Sequence, residues 1–296
     1  MSNGIQSRQN EDNSISMLAA QRQIYSEAKK EENIIVVFSV LLPFFCACIQ
    51  IFVKDNTVLN TIVYIFPIIS MVVGIILEKH IEKEKEMAAF IQQKFDVYVY
   101  QMPWEKRLFG VNKNVSSTIA EKSNRHLSKD GTRAKLENWY TPRVDTFPIK
   151  KGILECQKEN FYWDVGLRKR YKVTSIILII VLSIIIFSIG IVQDEKFSIL
   201  VYRMTFVFPL VQWLNETVKS LSSDIRRLEK LNDELSAPVE KSMEDLQDIQ
   251  KEIFDHRKSC RSIPNFFYQI FKNNDEDKAS RTAEIEVKSY ENNSNQ

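Results

Sequence analysis

The chain has 296 residues, a formal net charge of +2, 44% hydrophobic residues and a mean hydropathy of −0.22. A protein made wholly of membrane spans would be far more apolar, so the composition excludes an all-membrane transporter and calls for apolar segments joined to substantial polar mass. Seven Gly and eight Pro in this length favour long helices over turn-rich β structure.

Residues 1–13 are polar, carry no signal-peptide core and read as disordered. Residues 14–33 read as an amphipathic helix with Met17, Ala20, Ile24 and Ala28 on one face. The expectation is a solvated cytosolic helix, with docking on a membrane or partner as the alternative. Ile34–Val53 is a twenty-residue apolar run broken by Ser39, Pro43 and Gln50. After the short turn Lys54-Asp55-Asn56-Thr57, Leu59–Leu77 forms a further run with Pro67 inside it. So short a link makes the two an antiparallel hairpin, residues 34–77.

Residues 78–172 form a cytosolic insert with 20 Lys and Arg against 13 Asp and Glu, and the basic surplus of the chain is concentrated there. The insert opens as a charged helix that stops near Pro103, passes through a loosely ordered polar stretch at 110–135, and ends in a helix feeding residue 173. Val173–Val192 is free of charge for twenty residues, about the length that crosses roughly 30 Å of hydrocarbon as a helix. Arg168, Lys169, Arg170, Tyr171 and Lys172 precede it as a basic collar with an aromatic. Phe197–Leu214, with Arg203, Pro209 and Gln212, returns the chain after the turn Gln193-Asp194-Glu195-Lys196, so 173–214 is a second hairpin. An interfacial helix is the rival reading of this fourth run.

Residues 215–271 are a cytosolic helical region. Leu221, Ile225, Leu228, Asn232 and Leu235 form a short coiled-coil seam, with packing on the 78–100 helix as the alternative. Beyond Pro238, Val239, Met243, Leu246, Ile249 and Ile253 resume an apolar stripe. The aromatic segment 262–271 is expected at the membrane surface or docked on the cytosolic region, and 272–296 reads as a disordered tail. Fourteen Lys and Arg flank the spans on the side of the tails (1–33 and 215–296) and the insert, against two on the other. The fold class is therefore an all-α membrane protein, with four transmembrane helices as two hairpins, a mainly helical cytosolic region and both termini cytoplasmic.

Catalytic chemistry finds no support. His80, His126 and His256 are scattered in polar contexts, and no zinc, nucleophile-elbow or phosphate-loop motif occurs. Cys46, Cys48, Cys156 and Cys260 show no disulfide or metal spacing, so neither cofactor nor metal is expected. Arg203 lies inside an apolar run, where a charge is costly, and is the candidate to line or gate a pore; snorkelling to the outer interface is the alternative. Trp139, Tyr140, Arg143, Asn160, Tyr162, Trp163, Arg168 and Arg170 combine guanidinium and aromatic groups that suit phosphates and bases, and are the candidate ligand-binding set. The collar and Trp163 serve equally as topology and packing residues.

FIQQKFDVYVYQMPW (90–104), NWY (138–140), ECQKENFYWDVGLRKRY (155–171) and DLQDIQKEIFDHRKSCRSIPNFFY (245–268) resemble, in order and position, the signature blocks of the SMODS-associated four-transmembrane effectors. In that family the Cys-Gln block often carries Arg after the Gln; Lys158 stands here and keeps the charge. The resemblance implies a pore-forming effector of bacterial antiphage signalling in the inner membrane. It implies that a partner nucleotidyltransferase makes a cyclic oligonucleotide, and that the effector then oligomerises or rearranges to breach the bilayer. Implied partners are the lipid bilayer, copies of itself and the cyclic nucleotide, with no DNA or RNA polymer. The alternative is a non-pore, membrane-anchored scaffold that recruits a cytosolic partner through its C-terminal helix.

Overall fold

The computed structural model describes residues 2–42, 44–45, 57–192 and 197–271, except for a number of side chains within the apolar stretches and those of residues 161–163. Among the described residues all regular structure is helical, as expected: α1 (Ile5–Gln9), α2 (Asp12–Val36), α3 (Thr57–Tyr100), α4 (Lys106–Phe109), α5 (Ser116–Leu127), α6 (Ile149–Val192), α7 (Phe197–Ser236) and α8 (Met243–Ser259). A π-helical turn, Val37–Leu41, prolongs α2, and a short helix at 265–271 follows α8. Among these residues no helix is long and apolar enough to cross a membrane. The expected hairpin turns at 54–56 and 193–196, Cys46, Cys48 and the tail at 272–296 lie outside the described residues.

Helix α3 ends by a backbone device. Gln101 takes a left-handed φ of 55°, its N–H donates to the Tyr98 carbonyl, and the Met102 N–H reaches back to the Val97 carbonyl. This is a Schellman closure, and Val97 and Met102 are both buried beside it. Pro103, which cannot continue a helix, comes next. At α8 the start is set by a capping box, in which Ser242 and Asp245 each accept the other's backbone N–H.

The main core is built from α1, α2, α3, α5, the insert and α8, through Ile5, Ile15, Leu18, Ile24, Ile91, Phe95, Tyr100, Leu136, Tyr140, Ile153, Leu246 and Phe254. Helix α2 is therefore a core element and not the solvated helix expected. Its face Met17, Ala20, Ile24, Ala28 is fully inside, but so are Ser14, Gln21 and Gln23. Two further expectations are corrected. Residues 110–135 contain α5, which lies along α2 and is joined to it by Lys122 and Arg125 on Glu27. Residues 3–13 are ordered as well: Ile5 is fully buried, and Asn3 donates from Nδ2 to the carbonyls of Val144 (2.7 Å) and Phe147 (3.0 Å). Few apolar residues are needed to seat a segment so heavily hydrogen-bonded, which is why its polarity misleads.

Helices α6 and α7 pack along each other, so within the chain the seam of α7 closes on α6 and α8 and not on α3. Leu221, Ile225, Leu228 and Leu235 are buried as the heptad spacing predicts, but Leu231 takes the inward place expected of Asn232, which is exposed. In the later stripe Leu246, Ile249 and Ile253 are buried, whereas Val239 is exposed. Helix α6 is unbroken from the insert to Val192. Along its charge-free part Val173, Ile177, Ile180 and Ile184 stand more than half exposed, as do Val58, Ile65, Ile69 and Ile76 on α3.

Gly152 shows how the N-terminus is seated. A Cβ there would lie 2.5 Å from Asn3 Nδ2 and 3.0 Å from the Val144 carbonyl oxygen. Both atoms are held by the Asn3 hydrogen bonds and cannot step aside. Gly152→Ala is therefore expected to unseat residues 3–9, and Ile5→Ala to cost about 2–5 kcal/mol by leaving a cavity. Thermal unfolding in detergent, with proteolysis of the N-terminus as a local readout, checks both.

Candidate functional site

The insert end of α6 is gripped by two buried polar networks. The first centres on Asp96, a fully buried acid on the inner face of α3. Tyr140 donates its hydroxyl to Oδ1 (2.6 Å), while Gln250 (2.9 Å) and Arg257 (2.5 Å) from α8 donate to Oδ2. Arg257 also donates to the side-chain carbonyl of Asn160 on α6 (3.0 Å), whose amide returns to the Tyr140 hydroxyl (3.2 Å). Gln157 on α6 donates to Gln250 (3.1 Å) and to the Leu246 carbonyl (2.8 Å). From the other side Gln9 holds Tyr140 by both backbone groups: its amide donates to the carbonyl (3.0 Å), and its carbonyl accepts the Tyr140 N–H (2.7 Å). One carboxylate thus ties α1, α3, the insert, α6 and α8 together.

Burial acts to strip Arg257 of its charge, but Asp96 outweighs it and the guanidinium pKa is raised. Burial and the Asp96 charge together push the Tyr140 phenol far up, so it stays a donor. The Cys156 thiol, fully enclosed nearby, is also pushed up by burial and then by Glu159, so it is no nucleophile at neutral pH.

The second network lies two turns further along α6. Arg168, 4% exposed, donates to Asp164 (2.8 Å), to Asp224 on α7 (2.8 Å) and to the Arg261 carbonyl (2.9 Å). His256 of α8 meets Asp164 through Nε2 at 3.0 Å. Burial raises the Asp164 carboxyl, but Arg168 and His256 prevail and hold it at about 2. Among the described residues no group of His, Cys, Asp and Glu is arranged to hold a metal ion. What the two networks can do chemically is lock the root of an apolar helix to its neighbours through charges that are costly to separate.

The structure divides the sequence candidates. Tyr140, Asn160 and Arg168 come together inside the networks, with their donors engaged by protein groups. Trp139 is half-buried, with the Arg22 guanidinium 5.2 Å above its ring. Arg143 is exposed on a 3-10 turn, and Arg170 lies 4.6 Å over Phe271. The side chains of Tyr162, Trp163 and Arg203 lie outside the described residues. Asp96, Arg257, Asp164, His256 and Gln250 were missed by motif reasoning. For Asp96 the signal is positional: Gln92, Gln93, Asp96 and Tyr100 recur at helical spacing on the face carrying Ala89, and a polar stripe there is a buried network.

Two outcomes are expected. Asp96→Ala leaves Arg257 buried and unpaired and should cost about 3–5 kcal/mol, whereas Tyr140→Phe removes one bond to a charge and should cost about 1.5–3 kcal/mol, as read from thermal or denaturant unfolding. The Asp164 carboxyl titrates near about 4 when unfolded and lower when folded, so its contribution is complete above pH about 4 and lost as pH falls towards 2. The decline in unfolding midpoint across that window should flatten in Asp164→Asn.

A family model described as the SMODS-associating 4TM effector domain matches residues 3–285. A protein of Bacillus cereus (strain VD146) named "Probable CBASS effector molecule" is 25% identical over 170 residues, 56% of this chain and 56% of its own length. The chain thus spans little more than half the length of that curated relative. No solved structure matches. With its signature blocks folded into one helical core and the family match running through nearly its full length, the chain belongs to the SMODS-associating 4TM effector domain family.

Proposed function

We propose that this protein is a membrane effector of CBASS antiphage defence. A cyclic oligonucleotide made by a partner nucleotidyltransferase binds its cytosolic bundle, and its apolar hairpins then rearrange or oligomerise to permeabilise the bacterial inner membrane. The observation that carries the reading is the unbroken helix α6, which joins the network residues Gln157, Asn160, Asp164 and Arg168 to an apolar stretch with outward aliphatic side chains. Exposed aliphatics at this density on two long helices mark a surface made for hydrocarbon and not for water. The four spans of this reading use the apolar runs in full, including residues outside the described set. The family description and the name of the Bacillus relative support the defence role.

The mechanism is non-enzymatic. A ligand shifts a conformational equilibrium only by binding one state more tightly than the other. The networks supply the two-state element, because partial opening would leave buried charges without partners. The scaffold alternative needs a free helical face for a partner, but the α7 seam is already buried on α6 and α8 within the chain.

Purified protein in liposomes, given a panel of cyclic di- and trinucleotides, should release trapped dye with one of them and not without. Absence of leakage with every nucleotide rejects pore formation. In the same assay Asp96→Asn, which weakens the grip on Arg257, should shift leakage towards nucleotide independence.

A further inference from the structure

Helices α2 and α5 run side by side, and nearly every cation on their contact is matched by an acid. Lys122 and Arg125 meet Glu27, Arg133 meets Asp12, and Lys85 of α3 meets Glu32. Arg22 differs. It is half-buried on α2, its guanidinium sits over the Trp139 ring, and among the described residues it has neither hydrogen bond nor ion pair. Beside it His126, at the end of α5, holds a buried Nδ1 atom with no partner. Lys129, three residues on, is exposed. Burial lowers the pKa of Arg22, and burial, then Arg22 and Lys129, lower that of His126, so a neutral imidazole stands beside two cations with no carboxylate among the causes. A half-buried charge without a counter-ion is costly, and an anion seated there would relieve it.

We propose that Arg22, His126, Lys129 and Trp139 form the site that takes a phosphate group of the oligonucleotide signal. Arg22 offers the planar fork that matches phosphate oxygens, His126 and Lys129 offer further N–H donors, and the Arg22–Trp139 stack offers a flat surface to an adjacent base. This deepens the effector reading above and rests on it. The shared chemistry could also suit a lipid headgroup, but Arg22 precedes the first apolar run at Ile34 by twelve residues of helix, about 18 Å of rise.

The test is equilibrium binding to the full chain in detergent, using cyclic di-AMP, cyclic di-GMP, cyclic tri-AMP and pyrophosphate as probes, with phosphatidylglycerol vesicles as a separate arm. The variants are Arg22→Gln, Arg22→Lys, Lys129→Gln and, as a charge control, Lys150→Gln on the exposed start of α6. The expected result is that one cyclic nucleotide binds, that Arg22→Gln and Lys129→Gln each weaken it about tenfold or more, that Arg22→Lys restores part of the loss, and that Lys150→Gln stays within about twofold. Matched unfolding midpoints show that the variants are folded, and the exposed Lys129 variant keeps the test valid if Arg22→Gln is not. A cyclic nucleotide that binds all variants alike overturns this site and leaves the sensing reading intact. Arg22-dependent binding of vesicles or of pyrophosphate alone overturns the assignment of the ligand. Failure of every probe on the unaltered chain overturns both the site and direct sensing.

Discussion

The structure depends on the burial of the Asp96 carboxylate against Arg257. Asp96 is fully buried and Arg257 nearly so, and each is tolerable only because the other is there with Tyr140, Gln250 and Asn160 around it. The pair is reached from α1, α3, the insert, α6 and α8, which lie far apart in sequence. Apolar contacts in the same core tolerate sliding, since one aliphatic surface packs much like another. A hydrogen-bonded ion pair does not, so it sets the register of the helices that share it. The Arg168 cluster repeats the arrangement further along α6, with α7 added to the grip.

The helical character and most long elements were legible in the sequence. Sparse Gly and Pro, a charged helix running to Pro103 and heptad spacing in 221–235 all describe what is seen, because each reports a local property of one helix. The failures are equally instructive. Residues 3–13 look too polar to fold, yet Asn3 and Gln9 are held by hydrogen bonds to residues more than a hundred positions away. The polar stretch 110–135 hides α5, which packs only Ile119 and Leu127 on the core and is joined to α2 by ion pairs on Glu27.

The candidate site was half legible. Listing Arg, Trp, Tyr and Asn in the insert found members of both networks and the Trp139 platform, but residue type does not say whether a guanidinium faces a protein carboxylate or a ligand. Arg168 and Arg22 are the same side chain in opposite situations: one pairs with Asp164 and Asp224, the other stands over Trp139 with no ion pair among the described residues. Only the fold decides, because the partners come from other helices. The resemblance carried the family-level reading where composition and spacing were silent.

Helix α6 is a lever with an unequal pair of arms. From Asn160, where the Asp96 network holds it, to Val192 it runs thirty-two residues without a break, about 48 Å of rise. From Asn160 back to its start at Ile149 the arm is about 16 Å. A tilt of about 5° at the fulcrum shifts the near end by about 1.4 Å and the far end by about 4 Å, roughly three-quarters of a helical turn. Rearrangement of a few hydrogen bonds in the bundle is therefore enough, on geometric grounds alone, to move the apolar end by the width of a side chain.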